Sequence, residues 1–423
     1  MNILIVSPFD LVVRRFWGPT VRLHALAKEF KRNGHNVLLV GPPPYKEPMP
    51  SAFEGVELYY LPIHTFRYGY EDKDVIREAK EMAILGKFTA YPRILTIRTL
   101  SLVRLIKTHK INVILANGPF PDVAYPCYVA SKITNARFFF DWDDLTGMHG
   151  FSTMSKDPIM YQVVSTANEL FLARSAKATI VASKYLEEFA LSIGVQRERL
   201  FYAPSVADID RYRPDVDSEM IKARHKLWGK KVLLYVGNLH DNNGVKVENV
   251  LYTLKLLLEK DRSYFLMVVG GGNLLEDKGK PGKLIEITKE LRLEESVIFT
   301  GTVPYKEVPM YMASADICLA LFPINVVTFT KSPLKVYEYM ASGKVVVARD
   351  VGDLPFCIKD METGILVYSD DPVEYAEKIL KCFGNKSLLK QIGQNARKII
   401  EERFTWRQSA DTIEKAFYQD MVY

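Results

Sequence analysis

The sequence predicts an α/β protein of two Rossmann-like, doubly wound domains facing each other across a cleft. Two observations point there. Short, continuous, β-branched runs alternate with longer amphipathic stretches over almost the whole chain, the βαβα order of a parallel sheet with helices on both faces. The series then restarts after a connection at 203–208 that contains Pro204 and reads as a hinge. The domains are expected at 1–205 and 206–400, with 401–423 a terminal helix packing back towards the first.

Each element has a local reason. Residues 2–7 are an apolar run read as a buried first strand, followed by a loop at Gly18-Pro19 and a helix over 20–33. Gly34 ends that helix, as a left-handed residue after the last turn commonly does. The run 35–40 is β-branched and unbroken, as a strand buried on both faces should be. Further strands are expected at 56–61, 112–116, 137–140 and 178–181. In the second half, 231–236 opens into Gly237-Asn238, a helix follows at 248–259, and 264–270 runs into Gly270-Gly271-Gly272. Strands at 297–300, 317–321, 345–348 and 364–367 complete the series. In open parallel sheets a ligand sits beyond the carboxyl ends of the strands.

Composition narrows the class. The 423 residues suggest two or three domains, and 48% hydrophobic with 25% charged residues is a globular balance. The net charge of +6 is mild, and no nucleic-acid module accompanies it. The four cysteines form no CxxC pair, which argues against a disulfide framework or zinc ribbon. No run reaches the ~18 apolar residues of a membrane span, and the N-terminus does not read as a signal peptide. A cytoplasmic protein is expected, peripheral at most to the inner face of the cell membrane.

Three segments carry a resemblance. They are Gly301-Thr302-Val303-Pro304-Tyr305, Ala313-Ser314-Ala315-Asp316, and Ser332-Pro333-Leu334-Lys335-Val336-Tyr337-Glu338 leading to Gly343. Gly352, Glu362-Thr363-Gly364 and Phe404-Thr405-Trp406 extend the pattern over most of the second half. The succession resembles the nucleotide-binding domain of retaining glycosyltransferases of the GT-B fold, the family 4 group. The first half is similar more loosely, through the Gly18 loop, Asp141-Trp142-Asp143-Asp144 and Ala182-Ser183-Lys184. The resemblance implies transfer of a sugar from a nucleotide-diphosphate sugar, UDP- or GDP-linked, to an acceptor hydroxyl with retention. The implied step is a front-face displacement in which the leaving phosphate helps take the acceptor's proton. No obligate metal or cofactor is implied, although Asp141-Trp142-Asp143 formally spells a metal-binding DxD.

The residues themselves support a phosphate site. A helix starting near Leu334 presents free backbone N–H groups and a positive dipole end. Lys335 in its first turn adds a mobile cation, and Glu338 returns to nearly the same face. A carboxylate there can accept from two ribose hydroxyls, the role the family gives the second glutamate of Glu-x7-Glu. The alternative is a solvated helical ion pair. Catalytic roles are therefore expected for Asp143, Lys335 and Glu338. Donor binding is expected from Gly18, Gly237, Asn238, Lys246, Gly271, Val303, Thr330, Ser332, Pro333 and Leu334.

The chain departs from the family at several of these positions. Thr330 stands where the first glutamate belongs, and Asn238 and Asn243 replace the arginine and lysine that grip the diphosphate. Lys246 lies near enough to substitute. These departures favour a rival reading, a non-catalytic nucleotide-sugar-binding partner of an active enzyme; a sugar-nucleotide epimerase is a second. Asp143 occupies the place of a family histidine, near the reacting sugar or acceptor, or else merely forms a turn. His149 could take the missing role or be solvated.

Residues 87–110 hold six Lys or Arg and no acidic residue. Arg93, Arg104 and Lys107 fall on one side of a helical projection, with Leu102, Leu105 and Ile106 opposite. Either the helix packs on its own sheet, or it lies on an anionic membrane surface. Expected partners are accordingly a nucleotide-sugar donor and a glycan or lipid-linked acceptor, with no nucleic acid.

Overall fold

The structure is a computed structural model that describes residues 1–9, 11–12, 18–43, 49–61, 87–154, 157–237, 239, 247–271 and 280–419. It divides into two compact units, the boundary falling between Pro204 and Ser205. The first also takes in Trp406–Gln419.

The first unit is built on an eight-stranded sheet in the order β3-β4-β2-β1-β5-β6-β7-β8. Its strands are β1 (Asn2–Val6), β2 (Asn36–Gly41), β3 (Ala52–Phe53), β4 (Val56–Tyr60), β5 (Val113–Asn117), β6 (Arg137–Trp142), β7 (Thr179–Val181) and β8 (Leu200–Tyr202). All pairings are parallel except the short β3–β4 pair. β1, β5 and β6 are buried almost throughout, which explains their unbroken apolar sequence. The chain leaves β1 in one direction to β2 and later continues from β5 in the other, so the topological switch point lies between β1 and β5.

Helices α1 (Gly18–Arg32), α2 (Lys87–Thr108), α3 (Ala124–Thr134), α4 (Ile159–Ser175) and α5 (Lys184–Ser192) connect these strands. Ser183 caps α5 by accepting from the Leu186 amide at 3.2 Å. α2 packs along α3, burying Leu102, Leu105 and Ile106 and leaving Arg93, Arg104 and Lys107 exposed. Arg98 breaks the amphipathic pattern because it points inward, where its guanidinium pairs with Asp122 at 2.9 Å. The terminal helix Trp406–Gln419 lies against α1. Its Phe417 ring sits 4.8 Å from that of Phe139 and 5.6 Å from that of Phe30, and the Phe417 carbonyl accepts from Arg137.

The second unit holds a six-stranded, wholly parallel sheet in the order β11-β10-β9-β12-β13-β14. These are β9 (Lys231–Val236), β10 (Tyr264–Val269), β11 (Val297–Gly301), β12 (Ile317–Ala320), β13 (Val345–Arg349) and β14 (Ile365–Val367). Its switch point falls between β9 and β12. Beyond the carboxyl end of β12 come α6 (Val326–Thr330) and α7 (Leu334–Ala341), with Gly343 in the left-handed region at φ +66° just after α7. The helix α8 (Lys386–Arg403) packs on α7. Its Arg397 donates to the carbonyls of Tyr212 (2.6 Å) and Ala341 (2.8 Å), tying the incoming chain to this unit.

All four cysteines are buried and unpaired. Among the described residues no helix is long and apolar enough to cross a membrane.

Candidate functional site

At the switch point of the second unit, β9 ends in Gly237 at φ +148°. A Cβ there would meet the Lys335 Nζ at 2.3 Å, so the missing side chain is what lets the lysine lie over the strand end. The neighbouring strand end packs just as closely, since a Cβ on Gly270 would fall 2.3 Å from the Gly237 carbonyl oxygen. Gly271 is next to it, with its Cβ space taken by Leu239. Asn238, Asn243 and Lys246 lie outside the described residues.

Lys335 comes from the first turn of α7. Its Nζ donates to the Tyr235 hydroxyl at 3.1 Å and lies 4.3 Å from the centre of that ring and 5.8 Å from that of Phe322. Tyr235 belongs to β9 and Phe322 follows β12, so the amine sits across the switch point. Burial, helped by Lys331, pulls its pKa down to about 7, while Glu338 acts in the opposite sense. Among the described residues the start of α7 carries no side-chain cap hydrogen bond; the Val336 amide donates to the Pro333 carbonyl, and the amides of Leu334 and Lys335 lie at the helix end that favours an anion.

Three residues further on, Glu338 is buried rather than solvated. Burial raises its carboxyl well above the usual range; the neighbouring Tyr212 hydroxyl, Arg211 and Lys335 pull it back, and Asp208 adds to the rise. Its Oε2 and the Tyr212 hydroxyl are both buried with no hydrogen-bond partner among the described residues. Arg211 stacks over Tyr305, 4.5 Å from the ring centre, and lies 3.8 Å from Asp208. Val303 is half-buried, two residues beyond β11 and two before Tyr305.

Thr330 is fully buried, and its hydroxyl donates to the Val327 carbonyl at 3.0 Å. The side chain's one donor is thus used inside α6. Ser332 turns its hydroxyl to the Ser205 carbonyl at 2.9 Å, and Pro333, which has no N–H, accepts from the Val336 amide at 2.9 Å, so the donors this segment can offer a ligand are the Ser332 and Leu334 amides.

The first unit places a second polar cluster at its own switch point. β6 continues through Trp142, so Asp141 lies within the strand and not in the loop beyond it. Arg22, one turn into α1, grips it with Nε at 3.1 Å and Nη2 at 2.7 Å, and the Asn117 amide donates to it at 2.9 Å. All three residues are completely buried. Both oxygens of Asp141 are thus engaged, in a buried ion pair with Arg22 and a hydrogen bond from Asn117. Asp143 faces the opposite problem: burial and the adjacent Asp144 and Asp141 push it up to about 8, against the pull of Arg22 and Asn117. The half-buried carboxyl is thereby shifted towards its protonated form, in which it offers a hydrogen-bond donor. Gly18 is the first residue of α1 with open space where a Cβ would stand. His149 is exposed.

Sequence reasoning missed Arg22, Asn117, Tyr212, Tyr235 and Tyr305, and also Glu169. The buried Glu169 carboxylate accepts from Trp142 Nε1 (2.8 Å), Thr146 N (3.0 Å) and Gly147 N (3.1 Å), fastening the loop that follows Asp143. Burial nevertheless raises it to about 7. Glu169→Gln turns an amide N–H towards one of those three donors. It is expected to cost about 1–3 kcal/mol of stability at pH 8, read as a lower urea midpoint with unchanged slope.

Comparison with known proteins follows the same division. The family model of the glycosyl transferases group 1 matches residues 217–399, and that of the glycosyl transferase 4-like domain matches 18–205. A D-inositol 3-phosphate glycosyltransferase of Nocardia farcinica is 26% identical over 265 residues, 60% of this chain and 53% of that one. The chain spans about half the length of the curated relatives it matches. Among solved structures, sucrose-phosphate synthase from Thermosynechococcus elongatus superposes with a TM-score of 0.74 at 18% identity, over 100% of this chain and 99% of that one. Anabaena Alr3699/HepE, solved in complex with UDP and glucose, gives 0.70 at 18% identity over 99% of each chain. These likenesses show the GT-B fold. With its two family matches covering most of the sequence, one on each unit, the chain belongs to the group 1 glycosyl transferases.

Proposed function

We propose that this protein is a retaining glycosyltransferase that moves a sugar from a nucleotide-diphosphate sugar to an acceptor hydroxyl. The observation that carries this is Lys335, its amine held over Gly237 at the switch point and beside an uncapped helix start. A diphosphate at that point meets a cation and a row of backbone donors together, which is what a departing nucleotide diphosphate requires. Glu338, whose buried Oε2 has no hydrogen-bond partner among the described residues, takes the ribose hydroxyls. UDP is the favoured base, because the similar Alr3699/HepE was solved with UDP and glucose.

In this reading the protein supplies charge stabilisation and alignment, with no covalent intermediate on a side chain. Asp143 serves the acceptor as a protonated acid donating to one of its oxygens. The basic face of α2 favours a lipid-linked acceptor or membrane lipid over a freely soluble glycan.

Thermal unfolding with UDP-, GDP- and ADP-sugars tests the donor site. One nucleotide series, at ~100 times its dissociation constant, should stabilise the native protein by about 2.7 kcal/mol. Glu338→Ala should lose most of that gain. A native protein unmoved by all three would overturn the reading.

A further inference from the structure

The first unit carries a second unusual surface, which the donor site does not use. Helix α4 exposes a row of apolar side chains: Ile159 is 65% exposed, Met160 62%, Val163 45% and Val164 40%. Phe171 continues the row two turns on, and its ring reaches α3 at Tyr128 (5.0 Å) and Tyr125 (6.4 Å). Positions 160, 164 and 171, with 163 beside them, lie along one side of a helix. The opposite side holds Ser165, Glu169 and Leu172, all buried. α4 thus has two faces, an inner one anchoring the Asp143 loop and an outer one that is apolar and, among the described residues, exposed.

That outer face belongs to a layer. The connections β4→β5, β5→β6 and β6→β7 all step the same way across the sheet, and right-handed crossovers put α2, α3 and α4 on one side of it. On α3 the exposed residues are Tyr125, Lys132 and Ile133; on α2 they include Arg93, Leu100, Arg104 and Lys107. Neither α2 nor α3 contains an acidic residue, and the single one of α4 is Glu169, buried on its inner face. The layer therefore presents an apolar stripe on α4 and α3 bordered by cations on α2.

The geometry points to an anionic lipid bilayer as the occupant of this layer, with the α4 stripe entering the headgroup–acyl boundary and the α2 cations resting on acidic headgroups. This deepens the lipid-linked acceptor reading and rests on it for its biological sense, but not for its test. The charge pattern selects the bilayer over a second copy of the chain, since two such layers face to face would set cations against cations. It also selects a bilayer over a soluble polyanion, which would have no use for the apolar row. An apolar face with a cationic border is what interfacial binding uses, and each cation at an acidic surface strengthens it by about fivefold.

Co-sedimentation of the full chain with phosphatidylcholine vesicles, with and without 30 mole per cent phosphatidylglycerol (about one lipid in three), tests this at ~0.1 M salt. Binding is expected to the mixed vesicles and to be weak on pure phosphatidylcholine. Val163→Asp with Val164→Asp should weaken it by about tenfold or more. Arg104→Ala with Lys107→Ala should weaken it by about 25-fold and flatten its salt dependence. All four positions are exposed, so unchanged melting temperatures will show that the variants fold. Equal binding by the Val163/Val164 variant overturns the proposal, leaving simple charge attraction. So does a dimer in vesicle-free sedimentation velocity that this variant dissolves, because the stripe would then be covered by a second copy. Vesicle binding needs no nucleotide sugar, and the donor melting experiment needs no vesicle, so either reading can fail without the other.

Discussion

Lys335→Met will lower kcat by about 10²–10³-fold at saturating donor, the usual cost of deleting one preorganised group that stabilises charge at the leaving atom. The same substitution will stabilise the unliganded protein near neutral pH. The two effects share one cause. Lys335 is half-buried between Tyr235, Phe322 and Gly237, and the loss of solvent around its amine pulls its pKa down to about 7, below that of a lysine in water. In the unfolded chain the amine stays protonated up to its ordinary value of 10.5. Between those two values the unfolded state binds more protons than the folded one, so native stability rises with pH across that window. Methionine has no proton to lose, and the variant should lack this slope. Its advantage over the native protein should be largest below pH 7 and shrink as pH climbs.

Donor affinity runs the other way. A diphosphate binds the protonated amine, so every pH unit above about 7 should weaken binding by about tenfold until uncharged contacts alone remain. Below pH 7 the affinity should level off. Donor titrations at pH 6, 7, 8 and 9 on native and Lys335→Met protein check this. A native affinity flat from pH 6 to 9 would remove Lys335 from the phosphate site. On the proposed reading, a destabilising lysine kept at this point trades stability for charge at the place where charge would develop.

The fold was legible because its signal is repetitive. Largely apolar runs such as 2–7, 137–140 and 345–348, recurring between amphipathic stretches, read as buried parallel strands, and the structure places a strand at each of them. The edges were less legible. β3 has two residues and β8 has three, too few to show any period. At the site, Lys335 and Glu338 could be singled out because a helix start fixes where their side chains go. Their surroundings could not. Tyr235 looks like one more apolar residue in a strand, and Tyr212 lies more than 100 positions from Glu338 in sequence. The place of Thr330 in the family motif says nothing about which way the side chain turns. In this chain it turns inward, to the Val327 carbonyl. Arg98 shows the same limit: its inward turn answers Asp122, a partner the pattern of one helix cannot reveal.

Arg22 is the strongest instance, and its removal should have the largest effect on stability. On sequence it is one of several cations along an amphipathic helix, the sort of residue that is normally solvated. In the fold it is fully buried and holds Asp141 by two hydrogen bonds, with Asn117 completing the carboxylate's partners. Arg22→Ala leaves that carboxylate buried without its counter-charge, and should cost about 3–5 kcal/mol. The expected readout is a urea midpoint lowered without a change in slope. Replacing both partners, Arg22→Met with Asp141→Asn, removes the stranded charge and should recover most of the loss, because uncharged groups of similar volume generally replace a buried pair at little cost. Asp143 is the functional readout. Arg22 and Asn117 restrain its pKa, and Asp141 raises it, so the double variant changes the charge around this acid while the fold survives. Donor-induced stabilisation should stay intact in the double variant, since Lys335 and Glu338 belong to the other unit, while acceptor-dependent turnover shifts its pH profile. A cost below about 1 kcal/mol for Arg22→Ala would mean that the pair is solvated and the cluster open.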